Sequence, residues 1–332
     1  MTRCAVIGAG AWGTALADLM AVAGHEVRLW AYEADVVQSI NERHENTRFL
    51  AGARLAPELV ATNDQSVALE EARLVLYATP SNHLRGIARS AASCIHRDAI
   101  VTVASKGIEL GTMALMTDII VAEVPRHAVV ALSGPSFAAE VAARQPTAVV
   151  AASVSADAAL FVQEAMSGGS FRVYTHDDVV GVELGGALKN VMAVATGILE
   201  GVGLGFNSRA ALITRGLAEM TRLGMSLGAQ PATFAGLAGI GDLVLTCTGS
   251  LSRNRALGVE LGRGKTLEEA RAGKETVAEG VVTCASTIEL AAREGVEMPI
   301  AEMVYRILFD HHSAKLAAQE LMARELRAEQ DV

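Results

Sequence analysis

The sequence predicts a doubly wound, parallel α/β sheet domain over residues 1–180, followed by an all-helical domain over residues 181–332. Three observations carry this prediction. A short apolar run over residues 4–7 feeds directly into Gly8-Ala-Gly10-Ala-Trp12-Gly13. Strand-like runs then alternate with helical patterns as far as Tyr174, and after Val179 only helical patterns remain. Alternation of this kind builds a parallel sheet, whereas an unbroken series of helices builds a layer of its own.

The first element is the buried strand over residues 4–7, and the glycine loop after it leads into an Ala- and Leu-rich helix over residues 14–23. Gly24-His25 closes that helix, and residues 26–30 supply the next strand. Strand, G-x-G-x-x-G loop, helix and second strand together form the dinucleotide-binding context of a Rossmann-type domain. The first glycine makes the tight turn, the second lets the backbone approach a pyrophosphate, and the third lets helix and strand pack. The helix N-terminus faces the anion.

Further strands are predicted over residues 74–78, 99–104, 128–132, 147–152 and 171–174, with helices over residues 82–92, 111–124 and 135–144 among them. Ligands of such sheets bind outside the carboxyl ends of the strands. Those ends read Thr79-Pro80-Ser81-Asn82, Ser105-Lys106-Gly107 and Ser133-Gly134-Pro135-Ser136. Pro135 suits the first position of a helix, whose free backbone donors would serve an anion; an ordinary capping turn explains it equally well. Lys106 is either a solvated loop lysine or a ligand contact, and a cation at the ligand edge of a parallel sheet has little packing purpose.

The second domain opens on Val179-Val-Gly-Val-Glu183-Leu-Gly185-Gly186-Ala-Leu-Lys189, a helix over residues 179–199 that is apolar on nearly every face yet carries a lysine at its centre. Burying an ammonium is costly unless a carboxylate or a ligand compensates it. A structural ion pair, with Glu183 or with an acid from elsewhere, is one reading; a catalytic lysine is the other. Gly185 and Gly186 strip side chains from the helix one turn before Lys189, so a backbone or a ligand can approach closely. Helices follow over residues 208–227, 233–238, 252–262, 266–272, 277 or 280 to 294, 299–308 and 313–328. Between them, Gly239-Ile-Gly241-Asp242 sets an acid where a helix N-cap is the ordinary explanation. Thr248-Gly-Ser-Leu-Ser252-Arg253-Asn254-Arg255 forms a polar loop with two arginines opening a helix, which suits either a solvated face or a phosphate.

The bulk properties narrow the class. At 332 residues and a net charge of −9, the chain has length for two cores and no general affinity for nucleic acid or an anionic membrane, so a bound phosphate must meet a local cluster of cations. Cys4, Cys94, Cys247 and Cys284 show no two-residue spacing, and the histidines form no ligand pair beyond His311 and His312, so neither metal nor disulfides are expected. Acids such as Asp157 and Glu200 interrupt the long apolar runs, residues 4–7 are too short for a signal peptide, and a cytoplasmic protein without an integral membrane span is expected. Oligomeric state is left open, with a homodimer among the outcomes.

Taken in order, these residues resemble the bacterial NAD(P)-dependent glycerol-3-phosphate dehydrogenases from end to end. The motifs are the glycine loop with Thr14-Ala-Leu-Ala17, Ser105-Lys-Gly107, Ser133-Gly-Pro-Ser-Phe-Ala138, Glu183-Leu-Gly-Gly-Ala-Leu-Lys-Asn-Val191, Gly239-Ile-Gly-Asp-Leu243, Ser252-Arg-Asn254 and Val277-Ala-Glu-Gly280. The resemblance implies a second domain like the C-terminal domain of 6-phosphogluconate dehydrogenase, and a reaction between dihydroxyacetone phosphate and glycerol 3-phosphate, the backbone of phospholipids. It implies that Lys189, with Lys106 and Asp242, is catalytic, Lys189 exchanging the proton at the carbinol oxygen. It places Lys106, Gly134, Ser136, Lys189, Asp242, Ser252, Arg253 and Asn254 around the substrate. Around NAD(H) or NADP(H) it places Gly8, Gly10, Ala11, Trp12, Gly13, Tyr32, Glu33, Lys106, Ala138, Arg253, Val277 and Glu279.

One departure concerns the cofactor. Trp30-Ala-Tyr32-Glu33-Ala-Asp35 contains no arginine where a 2′-phosphate would want one, and Glu33 instead suits the ribose hydroxyls of NADH. A β-hydroxyacid or 6-phosphogluconate type dehydrogenase is the rival within the same class, and a non-enzymatic dinucleotide sensor is the rival outside it. Turnover of dihydroxyacetone phosphate separates the first, and nucleotide binding without turnover the second.

Overall fold

Runs of Val, Leu, Ile and Ala build eight short strands into one sheet: β1 (Arg3–Ile7), β2 (Glu26–Trp30), β3 (Val60–Thr62), β4 (Leu74–Tyr77), β5 (Ile100–Val103), β6 (Ala128–Ser133), β7 (Thr147–Ala152) and β8 (Phe171–His176). The structure, a computed structural model, describes residues 1–273, 278–326 and 328–329. The strand order is β3-β2-β1-β4-β5-β6-β7-β8. Alternate residues of β1 feed different cores: Cys4 and Val6 join one cluster with Leu16, Leu29 and Leu76, while Ala5 and Ile7 join the other with Val75, Tyr77 and Val101. A sheet buried on both faces, covered by helices on each, is what continuous apolar strands require.

Two features of the sheet differ from the sequence reading. The edge strand β3 was not foreseen, because three residues with one buried side chain are too short to show a period; it pairs in parallel with β2 from Arg28↔Val60 to Trp30↔Thr62. The sheet is also parallel at every junction but one, for β7 runs antiparallel to β6. A parallel crossover must carry the chain back to the far end of the sheet. Between Ser133 and Thr147 the chain makes only the short helix Ala138–Ala142, so it turns back on the same end.

That short helix corrects the expectation for Pro135. The chain bends at Gly134 and Pro135, the N-cap Phe137 is extended at ψ 128°, and the first helical residue is Ala138. Pro135 therefore heads no helix. The pattern over residues 111–124 likewise yields a helix only over Met116–Glu123.

The chain divides into two compact units, residues 1–106 with 114–183 and residues 107–113 with 184–332. The second is helical. Its central helix, Val179–Val202, meets the helix Arg253–Gly262 without side chains between them: a Cβ at Gly197 would lie 2.1 Å from the Arg255 carbonyl oxygen, and one at Gly258 would lie 2.1 Å from that of Val194. Glycines at the crossing thus bring the start of the second helix beside Asn190.

Val179–Val202 and Pro231–Thr248 are long and apolar enough to cross a membrane by length and composition. The first is 89% buried inside the protein, the environment of a core helix.

Glu219, on the helix Phe206–Ser226, accepts from the Ile300 amide at 2.8 Å, at the start of the helix Pro299–Phe309. Burial pushes its carboxyl up from 4.5 to about 7, against the pull of these amides. The folded state therefore holds this proton more tightly than the unfolded state, and the associated stability is present below the unfolded value and lost as pH rises through the folded one. The melting temperature of the wild type, measured against Glu219→Gln, is expected to fall between about pH 5 and about pH 8. A difference that stays constant with pH would show that the helix amides fully compensate the buried charge.

Candidate active site

In the first unit, the glycine loop follows β1 at the point where the strand order reverses, between β2 and β4. Gly8 takes φ +116°, and a Cβ there would lie 2.8 Å from the Ala78 carbonyl oxygen after β4. A Cβ on Gly13 would sit 1.9 Å from the Gly8 oxygen, so the third glycine is what lets the helix Ala11–Val22 close on the loop. A Cβ at Gly10, by contrast, meets nothing within 4 Å, and no side chain caps the helix it precedes. The Trp12 Nε1 proton is buried with no partner among the described residues. Open space before uncapped helical amides, with a buried orphan donor beside them, fits the pyrophosphate of a dinucleotide.

Three predicted residues meet at the edge of the same sheet. Lys106, just beyond β5, donates from Nζ to the Gly134 carbonyl at 3.2 Å, and the Ser136 hydroxyl donates to that carbonyl at 3.0 Å. Gly134 has φ +141°, and a Cβ there would collide with the Val149 Cα of β7 at 2.9 Å. Ala138 begins the short helix beyond them. Tyr32 is largely exposed after β2, and Glu33 is the N-cap of the helix Ala34–Arg43 without a side-chain capping bond.

In the second unit, the partner of Lys189 is Asp242. Nζ lies 2.5 Å from the Asp242 Oδ1 and 3.0 Å from the Thr246 Oγ1. Lys189 is 8% exposed and Asp242 is fully buried. The glycine noted in the sequence explains how they meet: a Cβ on Gly185 would lie 2.3 Å from the Ala238 carbonyl oxygen, so the wide π-type turn over Leu237–Gly241 presses directly onto the central helix. The helix Asp242–Thr248 then starts one turn along from Lys189, with Gly241 rather than Asp242 as its N-cap. The capping role expected for Asp242 is thereby replaced by an ion pair.

Glu183, the other candidate partner, is turned to a different task. It accepts from the Thr117 amide at 2.9 Å and from the Thr117 hydroxyl at 2.5 Å, and burial pushes its carboxyl up to about 7.

Thr246 and Asn190 carried no role in the sequence reading. The hydroxyl of Thr246 donates to the Asp242 carbonyl at 2.7 Å and accepts from Lys189, and its place one turn after Asp242 on one helix face was the available signal. Asn190 accepts at 2.9 Å from the Asn254 Nδ2, while the Asn254 Oδ1 accepts from the Gly280 amide at 2.9 Å. The buried Asn254 amide thus joins the lysine helix to the helix Glu279–Glu294, which begins with the predicted residue Glu279. Val277 lies outside the described residues. Ser252 caps the helix Arg253–Gly262, its Oγ accepting from the Arg255 amide at 3.2 Å. The two arginines differ: Arg255 is held by Glu200 at 2.7 Å, whereas Arg253 is exposed and forms no ion pair among the described residues.

Comparison with known proteins agrees over both units. The family model for the NAD-dependent glycerol-3-phosphate dehydrogenase N-terminus matches residues 3–159, and that for the C-terminus matches residues 178–319. A protein of Citrifermentans bemidjiense named glycerol-3-phosphate dehydrogenase (NAD(P)+) is 53% identical over 98% of each chain. One of the same name from Geobacter sulfurreducens is also 53% identical, over 98% of each chain. The crystal structure of glycerol-3-phosphate dehydrogenase from Coxiella burnetii superposes with a TM-score of 0.94 at 40% identity, covering 97% of this chain and 99% of that one.

Proposed function

The chain belongs to the NAD-dependent glycerol-3-phosphate dehydrogenase family, and from that premise we propose that Lys189 exchanges the proton at the carbinol oxygen of glycerol 3-phosphate. The protein is an NAD(P)-dependent oxidoreductase that interconverts dihydroxyacetone phosphate and sn-glycerol 3-phosphate. The nicotinamide, when bound, supplies or accepts the hydride at C2 of the substrate.

The observation that carries the proton role is the buried Lys189–Asp242–Thr246 constellation. As the substrate carbonyl is reduced, electron density builds on its oxygen and must be neutralised at once. An N–H bond of the Lys189 ammonium breaks as the carbinol O–H forms, and in the reverse direction the neutral amine takes the proton back. Two influences act on the lysine in opposite directions: burial favours the amine, and the Asp242 carboxylate favours the ammonium. A reversible proton transfer requires a group that can both give up and take back the proton. Thr246, accepting from Nζ, fixes where the amine sits.

The same reading gives Arg253 the substrate phosphate. Its exposure, the absence of a carboxylate partner among the described residues and its place at the start of a helix support that role. Ser252 and Asn254 act through the shape of that helix start, and Lys106, Gly134 and Ser136 are assigned to the substrate with them. Gly8, Gly10, Ala11, Trp12, Gly13, Tyr32, Glu33, Ala138 and Glu279 are assigned to the dinucleotide, with Lys106 and Arg253 shared. The reading extends to a cytoplasmic protein whose product feeds phospholipid synthesis, on the strength of the phosphoglycerol product.

Arg253→Ala is expected to raise the KM for dihydroxyacetone phosphate by roughly ten- to a hundredfold, the scale of one charge-assisted hydrogen bond. The much weaker turnover of unphosphorylated dihydroxyacetone should change little. Equal losses on both substrates would take the phosphate away from Arg253 and give it to Lys106.

A further inference from the structure

The loop after β2 lacks a cation, yet the fold brings one to it from a later part of the chain. The Gly8 amide donates to the Trp30 carbonyl at 3.0 Å, so the end of β2 lies directly beside the glycine loop. Residues 31–36 then supply Glu33 and Asp35 and no basic side chain. Asn46, fully buried, donates from Nδ2 to the Ala9 carbonyl and to the Thr14 hydroxyl, both at 2.8 Å. Its Oδ1 accepts from the Phe49 amide at 3.0 Å. One asparagine therefore fastens the turn over residues 46–49 to the glycine loop and to the helix that follows it.

Arg48 projects from that turn. Its Nη1 lies 3.7 Å from the Asp35 Oδ2, in the first turn of the helix Ala34–Arg43, and its guanidinium lies 5.1 Å from the centre of the Phe49 ring. At 3.7 Å the contact with Asp35 is electrostatic rather than a hydrogen bond, and the Arg48 side chain is 38% exposed. A guanidinium in this place suits a phosphate dianion, which it binds in a planar fork.

We propose that Arg48 reads the 2′-phosphate of NADP(H), while Glu33 serves the ribose hydroxyls of NAD(H), so that one pocket accepts both cofactors. This rests on the dehydrogenase reading above. Asp35 has a double part: it aims Arg48 towards the end of β2 and, as an anion, holds the preference for the phosphorylated cofactor in check.

Titration of the intact protein with NADH, NADPH, 5′-AMP and adenosine 2′,5′-bisphosphate, followed by calorimetry, tests this without turnover. In Arg48→Gln the Kd for NADPH and for the bisphosphate should rise at least about tenfold, with NADH and 5′-AMP held within about twofold. Arg48→Lys should fall between, keeping the charge but not the fork. Asp35→Asn should tighten NADPH relative to NADH. The dependence of NADPH affinity on salt should be steeper than that of NADH in the wild type and equal to it in Arg48→Gln. Unchanged NADPH binding in Arg48→Gln, or equal weakening of NADH and NADPH, overturns the role of Arg48 while leaving the dehydrogenase reading intact. A wild type that binds neither dinucleotide overturns the reading itself.

Discussion

Lys189→Met lowers kcat for dihydroxyacetone phosphate at least about a hundredfold, the usual scale of general acid-base help. The substitution keeps the length and apolar character of the side chain and removes only the titratable amine. NADH affinity should stay at the wild-type value, because the glycine loop, Trp12 and Glu33 all lie on other elements. The fold should bear the change comparatively well, since a buried Asp242 deprived of its cation can take up a proton and become neutral. A variant that retained most of its turnover would make Lys189 a structural cation.

Asp242→Leu is expected to be the more damaging to stability, by about 3 to 5 kcal/mol, because it leaves an ammonium 8% exposed without its carboxylate. Lys189→Met with Asp242→Leu together should recover most of that loss. Replacing a whole buried ion pair by apolar side chains of similar volume is often neutral or stabilising, whereas removing one partner is not. Denaturant melts of the four proteins form a double-mutant cycle, and a coupling of at least about 2 kcal/mol is expected for groups in direct contact. Losses that simply add would show that the short Lys189–Asp242 contact contributes nothing the two residues do not contribute alone.

The parts of the molecule written in repeating patterns were readable from the chain. β1, the glycine loop and the central helix announce themselves because a fully buried strand, a loop that must approach a phosphate and an all-apolar helix each leave a local signature. The lysine in that helix was legible as an anomaly of burial. Its partner was not, because the choice between Glu183 and an acid from elsewhere depends on a backbone approach at Gly185 that joins residues far apart in sequence. Thr117, which takes Glu183 out of contention, lies 66 residues away. Arg48 is illegible for a similar reason: the loop after β2 has no cation of its own, and Arg48 comes from a later turn that Asn46 fastens to the glycine loop. The bounds of the short elements are also illegible, since Pro135 looks like a helix start locally, whereas the chain bends at Gly134 and Pro135 and the helix begins only at Ala138.

The variant carrying both Lys189→Met and Asp242→Leu offers the most direct test of the central claim, because it removes the acid-base pair without leaving an uncompensated charge in the core. Saturated with NADH, it should bind the cofactor as the wild type does and convert dihydroxyacetone phosphate to sn-glycerol 3-phosphate at least about a hundredfold more slowly than the wild type. Turnover within a few-fold of the wild-type rate in this folded, cofactor-bound protein would contradict the assignment of the proton to Lys189.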